Sequence, residues 1–243
     1  MRWTRRRIWT AATVAVLLVL AFALYLLSRN RPQDLPWTKL DITQPVGLFT
    51  GRKIAGLDHD TPQCLAQLDR AGVRYETLPE LSDGDHCGYA DGVRFVRGGS
   101  RGADYLPEFP KIACPVAAAL SVWEWEVVQP AAIKHFGKRV SAIEHLGSYS
   151  CRHIVGNGSE GWSQHATAKA VDISGFRLAD ATRITVKKDW NGDPERAAFL
   201  REVRKGACGV FSIVLSPDYN EAHRDHLHLD EAPWGEMGWR SCR

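Results

Sequence analysis

Ser163-Gln164-His165-Ala166-Thr167-Ala168-Lys169-Ala170-Val171-Asp172, read together with Asp225-His226-Leu227-His228-Leu229-Asp230, decides the fold. Seven positions separate His165 from Asp172, and two separate His226 from His228. Seven residues of continuous helix rise by about 10.5 Å, too far for two side chains to share one cation. Ala170 to Ile173 reads instead as a short buried strand, with Asp172 on the face opposite Val171 and Ile173. The same alternation puts His226 and His228 on one face and Leu227 and Leu229 on the other. If the two strands pair antiparallel, facing residues lie about 4.5–5.5 Å apart at Cβ, so Asp172 and His228 converge. His165 then sits in the turn entering the first strand and closes the site from above. Imidazoles plus a carboxylate are a set that Zn²⁺ accepts in a tetrahedral site, three protein ligands leaving a fourth position for water. Such a site is suited to hydrolysis.

The pattern S-x-H, small residues, A-x-D and a later H-x-H resembles the zinc D-alanyl-D-alanine peptidases and their lysostaphin-like and peptidoglycan-amidase relatives. A closer resemblance is to the bacterial extensin-like C-terminal domain family. It is carried by Gly147-Ser148-Tyr149-Ser150-Cys151-Arg152, Ser163 to Asp172, Gly175 to Asp180, Asp189-Trp190, His223 to His228 and the closing Cys242-Arg243, and spans roughly residues 45 to 243. The resemblance implies zinc ligands at His165, Asp172 and His228. It implies an oxyanion-stabilising Arg152 and substrate contacts from Ser163 and Tyr149. Two departures stand out. Ala168 occupies a place that is usually Gly in the peptidases. Asp225 stands where the dipeptidases carry a catalytic Glu, whereas other relatives use the position of His226, so the general base is Asp225 or His226. Asp225 or Asp230 is expected to orient a ligand histidine, and His223 is either a supporting residue or a surface loop histidine.

Arg2, Arg5, Arg6 and Arg7 precede an uncharged run from Ile8 to Leu27. Twenty such residues span a hydrocarbon core of about 30 Å as a helix. Tyr25-Leu26-Leu27-Ser28-Arg29 has no small-x-small cleavage pattern, so residues 1–27 read as an uncleaved signal-anchor. The arginines mark the cytoplasmic side, which puts the rest of the chain across the membrane. Residues 28–45 read as a tether and 46–243 as one catalytic domain. The net charge of +3 resides in the anchor: residues 28–243 carry 27 basic and 28 acidic groups. A nucleic-acid role gains no support from that balance.

All six cysteines, Cys64, Cys87, Cys114, Cys151, Cys208 and Cys242, follow the apolar run. An even count across a membrane predicts disulfides. Six cysteines allow 15 pairings, and the sequential set Cys64–Cys87, Cys114–Cys151 and Cys208–Cys242 is the expectation. Helices are predicted from Thr61 as N-cap to Gly72, from Pro115 to Val128, from Pro130 to near Gly137, and from Pro194 to Lys205. Strands are predicted at Val140 to Leu146 and Val210 to Leu215. The fold class is α+β, a small antiparallel sheet with flanking helices resembling the zinc peptidases, after one transmembrane helix. Trp123 and Trp125 are expected in the core. Trp162, Trp190, Trp234 and Trp239 are weighed as lining a glycan or peptide groove against ordinary packing. An anchored domain outside the cytoplasmic membrane faces peptidoglycan, so the expected function is a zinc peptidase or amidase acting on stem peptides. The alternative is a non-catalytic wall-binding or envelope-complex module.

Overall fold

The computed structural model describes residues 2–154, 161–231 and 240–243. Its helices are α1 (Arg2–Asn30), α2 (Thr50–Ala55), α3 (Thr61–Arg70), α4 (Cys114–Trp123), α5 (Gln129–Phe136), α6 (Val186–Asp189) and α7 (Pro194–Ala207). Its strands are β1 (Val73–Thr77), β2 (Leu81–Ser82), β3 (Gly88–Tyr89), β4 (Gly92–Gly99), β5 (Asp104–Leu106), β6 (Lys111–Ala113), β7 (Val140–Gly147), β8 (Ala170–Leu178), β9 (Arg183–Thr185), β10 (Ile213–Leu215), β11 (Leu227–Asp230) and β12 (Ser241–Cys242). The α+β class holds, but the sheet is not small and not purely antiparallel. Seven strands run in the order β12-β10-β11-β8-β7-β5 with β9 also on β8, and the pairs β10–β12 and β5–β7 are parallel. The added strands are two or three residues long, too short for a readable alternation.

The segment Arg5–Asn30 of α1 has mean hydropathy 2.5 and none of it is buried against the rest of the chain. A helix of that length and composition is long enough to cross a membrane. The tether is shorter than expected. Leu35, Leu40 and Ile42 are buried, Lys53 Nζ donates to the Pro32 carbonyl at 3.1 Å, and Leu48 N–H donates to Asp34 at 2.9 Å. Residues from about Pro32 onward therefore belong to the folded unit, because their apolar side chains gain more by burial than by hydration.

Helix α3 starts one residue earlier in its cap than expected: Asp60, not Thr61, accepts from Gln63 N–H at 3.0 Å. The helix predicted at 115–128 is α4 followed by a π turn, Glu124–Val128, which runs directly into α5. Pro130 has no N–H to give the preceding turn, and the wider turn absorbs that loss. It also aims the buried Glu124 carboxylate at Gly102 and Ala103 N–H, 2.6 and 2.8 Å away. Gly137, at φ 65°, closes α5 as expected.

One face of the large sheet is core. Val171, Ile173, Leu227 and Leu229 are fully buried there, and Trp123 and Phe199 pack on Phe176 at ring separations of 5.9 and 5.2 Å. The alternation along β8 slips at Ser174: Glu144 and His145 on β7 face Gly175 and Ile173. Such a bulge moves later residues to the other face. It lets Phe176 join the core while Asp172 stays on the opposite side.

Three disulfides are present, and two differ from the sequential set. Cys64 pairs with Cys114, tying α3 to α4, and Cys87 pairs with Cys151, while Cys208–Cys242 is as expected. Order along the chain says nothing about proximity once α4 packs against α3, and that packing decides the pairing.

Candidate metal centre

β8 and β11 pair antiparallel with His228 facing Asp172, and Leu227 and Leu229 face Ile173 and Val171 on the core side. His165 lies in a 3-10 turn, Gln164–Thr167, directly before β8. Ser163 caps this turn: its Oγ accepts from His165 N–H at 3.3 Å. The turn ends at Ala168 with φ 55° and ψ 17°, the left-handed region that favours glycine.

His165 Nε2, His228 Nδ1 and the Asp172 carboxylate converge. The two nitrogens are 3.2 Å apart; Asp172 Oδ2 lies 3.2 Å from His165 Nε2 and Oδ1 lies 3.0 Å from His228 Nδ1. Three corners of a tetrahedron with zinc-type bonds of 2.0–2.1 Å stand about 3.3 Å apart, so the spacing suits one cation. The far nitrogens are tied. His165 Nδ1 donates to the Ser148 carbonyl at 2.6 Å, and His228 Nε2 donates to Asp230 Oδ2 at 3.2 Å. Each imidazole therefore turns an unprotonated nitrogen toward Asp172 unless it picks up a second proton. Three lone-pair donors so close require a positive centre, whether proton or metal.

Without a metal, protons take that part. Burial by itself would raise the Asp172 carboxyl, but the hydrogen bonds from His165 and His228 outweigh it and hold it well below the carboxylate range. Burial would lower His228, yet Asp172 and Asp230 together lift it to about 9. His223 goes the other way. Burial first, then the neighbouring His228 and His226, lower it to about 4.

The centre opens onto a cleft of ≈ 490 Å³. Arg152, Ser163, His223 and His226 line it. Arg152 comes within 4.0 Å of Asp172, and its loop is fastened by Cys87–Cys151 and by Ser163 N–H donating to the Arg152 carbonyl at 3.0 Å. His226 Nε2 is 3.5 Å from Asp172 Oδ1, while its Nδ1 is 2.9 Å from Asp225 Oδ1. A carboxylate accepts, so His226 Nδ1 carries the proton and Nε2 faces the site. Asp225 acts on His226 and does not itself line the cleft. His223 Nδ1 donates to Asn220 Oδ1 at 2.6 Å, and its ring sits 5.2 Å from that of His226, so it is a cleft residue rather than a stray surface histidine.

Tyr149 is not brought to the cleft. Its hydroxyl donates to Asp83 at 2.9 Å and its ring meets Tyr89 edge-on at 5.6 Å. Trp190 is buried, with Nε1 donating to Asp218, and Trp162 stacks on His153 at 4.1 Å. Trp234 and Trp239 lie outside the described residues. Sequence reading missed the Ser148 carbonyl, a main-chain group with no residue signature. It also missed Leu215 and Arg243, which the sheet register brings to the cleft, and Tyr219, which the turn after β10 brings there.

These features define a disulfide-bonded α+β domain with a His-Asp-His cluster on the sheet face away from the core. The family described as "Extensin-like protein C-terminus" matches residues 62–243, and the chain belongs to it. No curated protein and no solved structure matches the chain.

Proposed function

We propose that the chain is a zinc-dependent peptidase or amidase that hydrolyses peptide bonds of peptidoglycan, held outside the cytoplasmic membrane by α1. The observation carrying this is the trio of ligand atoms 3.0–3.2 Å apart, each imidazole oriented by a hydrogen bond on its far nitrogen. His165, Asp172 and His228 would hold the ion. Zn²⁺ bound there supplies a polarised scissile carbonyl and a water acidified toward pKa 7. His226 takes the water proton at Nε2 and returns it to the leaving amine, and Asp225 keeps it in the tautomer that can do so. Arg152, partly exposed beside Asp172, offers charge to the developing oxyanion. Ser163 has a narrower part, since its hydroxyl shapes the turn that carries His165.

The apolar α1 with arginines on one flank, and three disulfides beyond it, support a single-pass anchor with the domain on the oxidising side. Such a place gives access to stem peptides. The test is metal content together with digestion of purified wall fragments, for wild type, chelated protein and His165→Ala. One equivalent of zinc and new peptide products from the wild type alone are expected. Unchanged fragments that still bind would favour a wall-binding module instead.

A further inference from the structure

The cleft floor continues past the metal centre on strands outside the ligand motifs. Leu215 faces His228 and Ile213 faces Asp230 across β10 and β11, and Ile213 faces Ser241 on β12. Residues paired in this way project to one side of a sheet, and alternate residues share that side. Ile213, Leu215, Ser241 and Arg243 therefore extend the face that carries His228, and all four line the cleft. Neighbouring strands lie about 4.8 Å apart, which sets β12 about 10 Å from β11. An extended peptide covers that span in roughly three residues at about 3.3 Å each, and in fewer once the Arg243 side chain reaches inward.

Three guanidinium groups reach this cleft, and they are not equivalent. Arg152 stands beside Asp172. Arg240 donates to the Gly209 carbonyl at 3.1 Å and interacts with the buried Glu231. Arg243 pairs with no side-chain carboxylate among the described residues, and its guanidinium carbon lies 5.8 Å from the centre of the Tyr219 ring. Its main chain is pinned: N–H donates to Val214 O and its carbonyl accepts from Ser216 Oγ, both at 2.9 Å, next to the Cys208–Cys242 bond. A cation whose main chain is pinned, set beside the apolar Ile213 and Leu215, suits an anion carried on a small apolar body.

We propose that this end of the cleft seats the terminal carboxylate of the substrate peptide. Arg243 pairs with the carboxylate, and Leu215 and Ile213 take the small side chain next to it. The bond cleaved then lies one or two residues from a free C-terminus: water adds hydroxyl to the acyl carbon and a proton to the amine of the short product that leaves. This rests on the hydrolase reading above and narrows it to stem-peptide termini rather than cross-links.

The test compares a synthetic stem pentapeptide ending in D-alanyl-D-alanine with its C-terminal amide. Binding to chelator-treated full-length protein is followed by calorimetry, for wild type, Arg243→Gln and Arg243→Lys. The wild type should bind the acid at least tenfold more tightly than the amide. Arg243→Gln should bring the acid down to the level of the amide, leaving amide affinity and zinc content unchanged, and Arg243→Lys should restore part of the difference. Equal affinities in the wild type, discrimination surviving in Arg243→Gln, or no binding of either peptide overturns the subsite. Inorganic phosphate displacing the acid peptide at lower concentration than acetate overturns its assignment to a carboxylate. Zinc content and wall digestion are read on the same preparations. Discrimination without zinc or turnover sinks the hydrolase reading alone, whereas zinc and turnover without discrimination sink the subsite alone.

Discussion

Asp172 and His228 face each other across β8 and β11, and the Asp172 Oδ1 lies 3.0 Å from His228 Nδ1. This one pairing joins two segments 56 residues apart in sequence. It also fixes which nitrogen of His228 meets the carboxylate, because Asp230 two residues on holds the other.

Asp230 should therefore be felt through metal affinity. It is buried, and its carboxylate keeps the proton on His228 Nε2. Asp230→Asn is expected to weaken zinc binding 10- to 100-fold, the usual loss for an orienting carboxylate. Competition with a chromophoric chelator would measure it. Unaltered affinity would remove Asp230 from the site.

His226 and Asp225 separate by kinetics. His226→Ala should keep its zinc and lose about 10²- to 10⁴-fold in turnover, the range for a general base. Asp225→Asn should cost less, since His226 remains. If Asp225→Asn is the more damaging of the two, the carboxylate is the base.

Ala168 occupies a left-handed backbone position and is fully buried. Ala168→Gly relieves the strain but loses a methyl and stiffness, so stability should change by less than about 1 kcal/mol. Ala168→Val, β-branched at positive φ, should lower stability by about 2 kcal/mol or more. Urea unfolding of both variants, with zinc content as a second readout, checks this.

Glu231, which follows Asp230 and does not line the cleft, supplies a pH dependence of its own. Burial pushes its carboxyl well above the ordinary range, and Asp230 adds to this against the pull of Arg240. The folded chain thus holds a proton that the unfolded chain releases near pH 4.5. Stability from this group is complete below that value and falls as pH rises toward the folded pKa. Glu231→Gln should be more stable than wild type at pH 8, with the gap closing near pH 4. A gap that stays constant between the two would show that Glu231 does not titrate this way.

Cys87–Cys151 closes a loop of 64 residues and fastens the segment leading to Arg152. Replacing both cysteines by serine should cost about 2–4 kcal/mol. Turnover measured well below the melting temperature should also fall, with zinc content intact. Removing Cys64–Cys114, which is buried between α3 and α4, should lower stability without that effect on turnover.

Much of this was written in local pattern. Alternation placed Asp172 and His228 on the outward face of their strands, uninterrupted apolarity marked α1, Pro130 and Gly137 bracketed α5, and Pro194 opened α7, because each is a property of neighbours along the chain. What the fold alone decided depends on distant segments. The seven-stranded sheet brings β12 and Arg243 beside the cleft, α4 lying on α3 selects Cys114 for Cys64, and a main-chain carbonyl at Ser148 sets the tautomer of His165. Tyr149, three residues from Arg152, turns to Asp83 instead of the cleft. Short strands, disulfide partners and carbonyl acceptors have no spacing of their own to read, since their energies come from contacts that exist only once the chain has closed on itself.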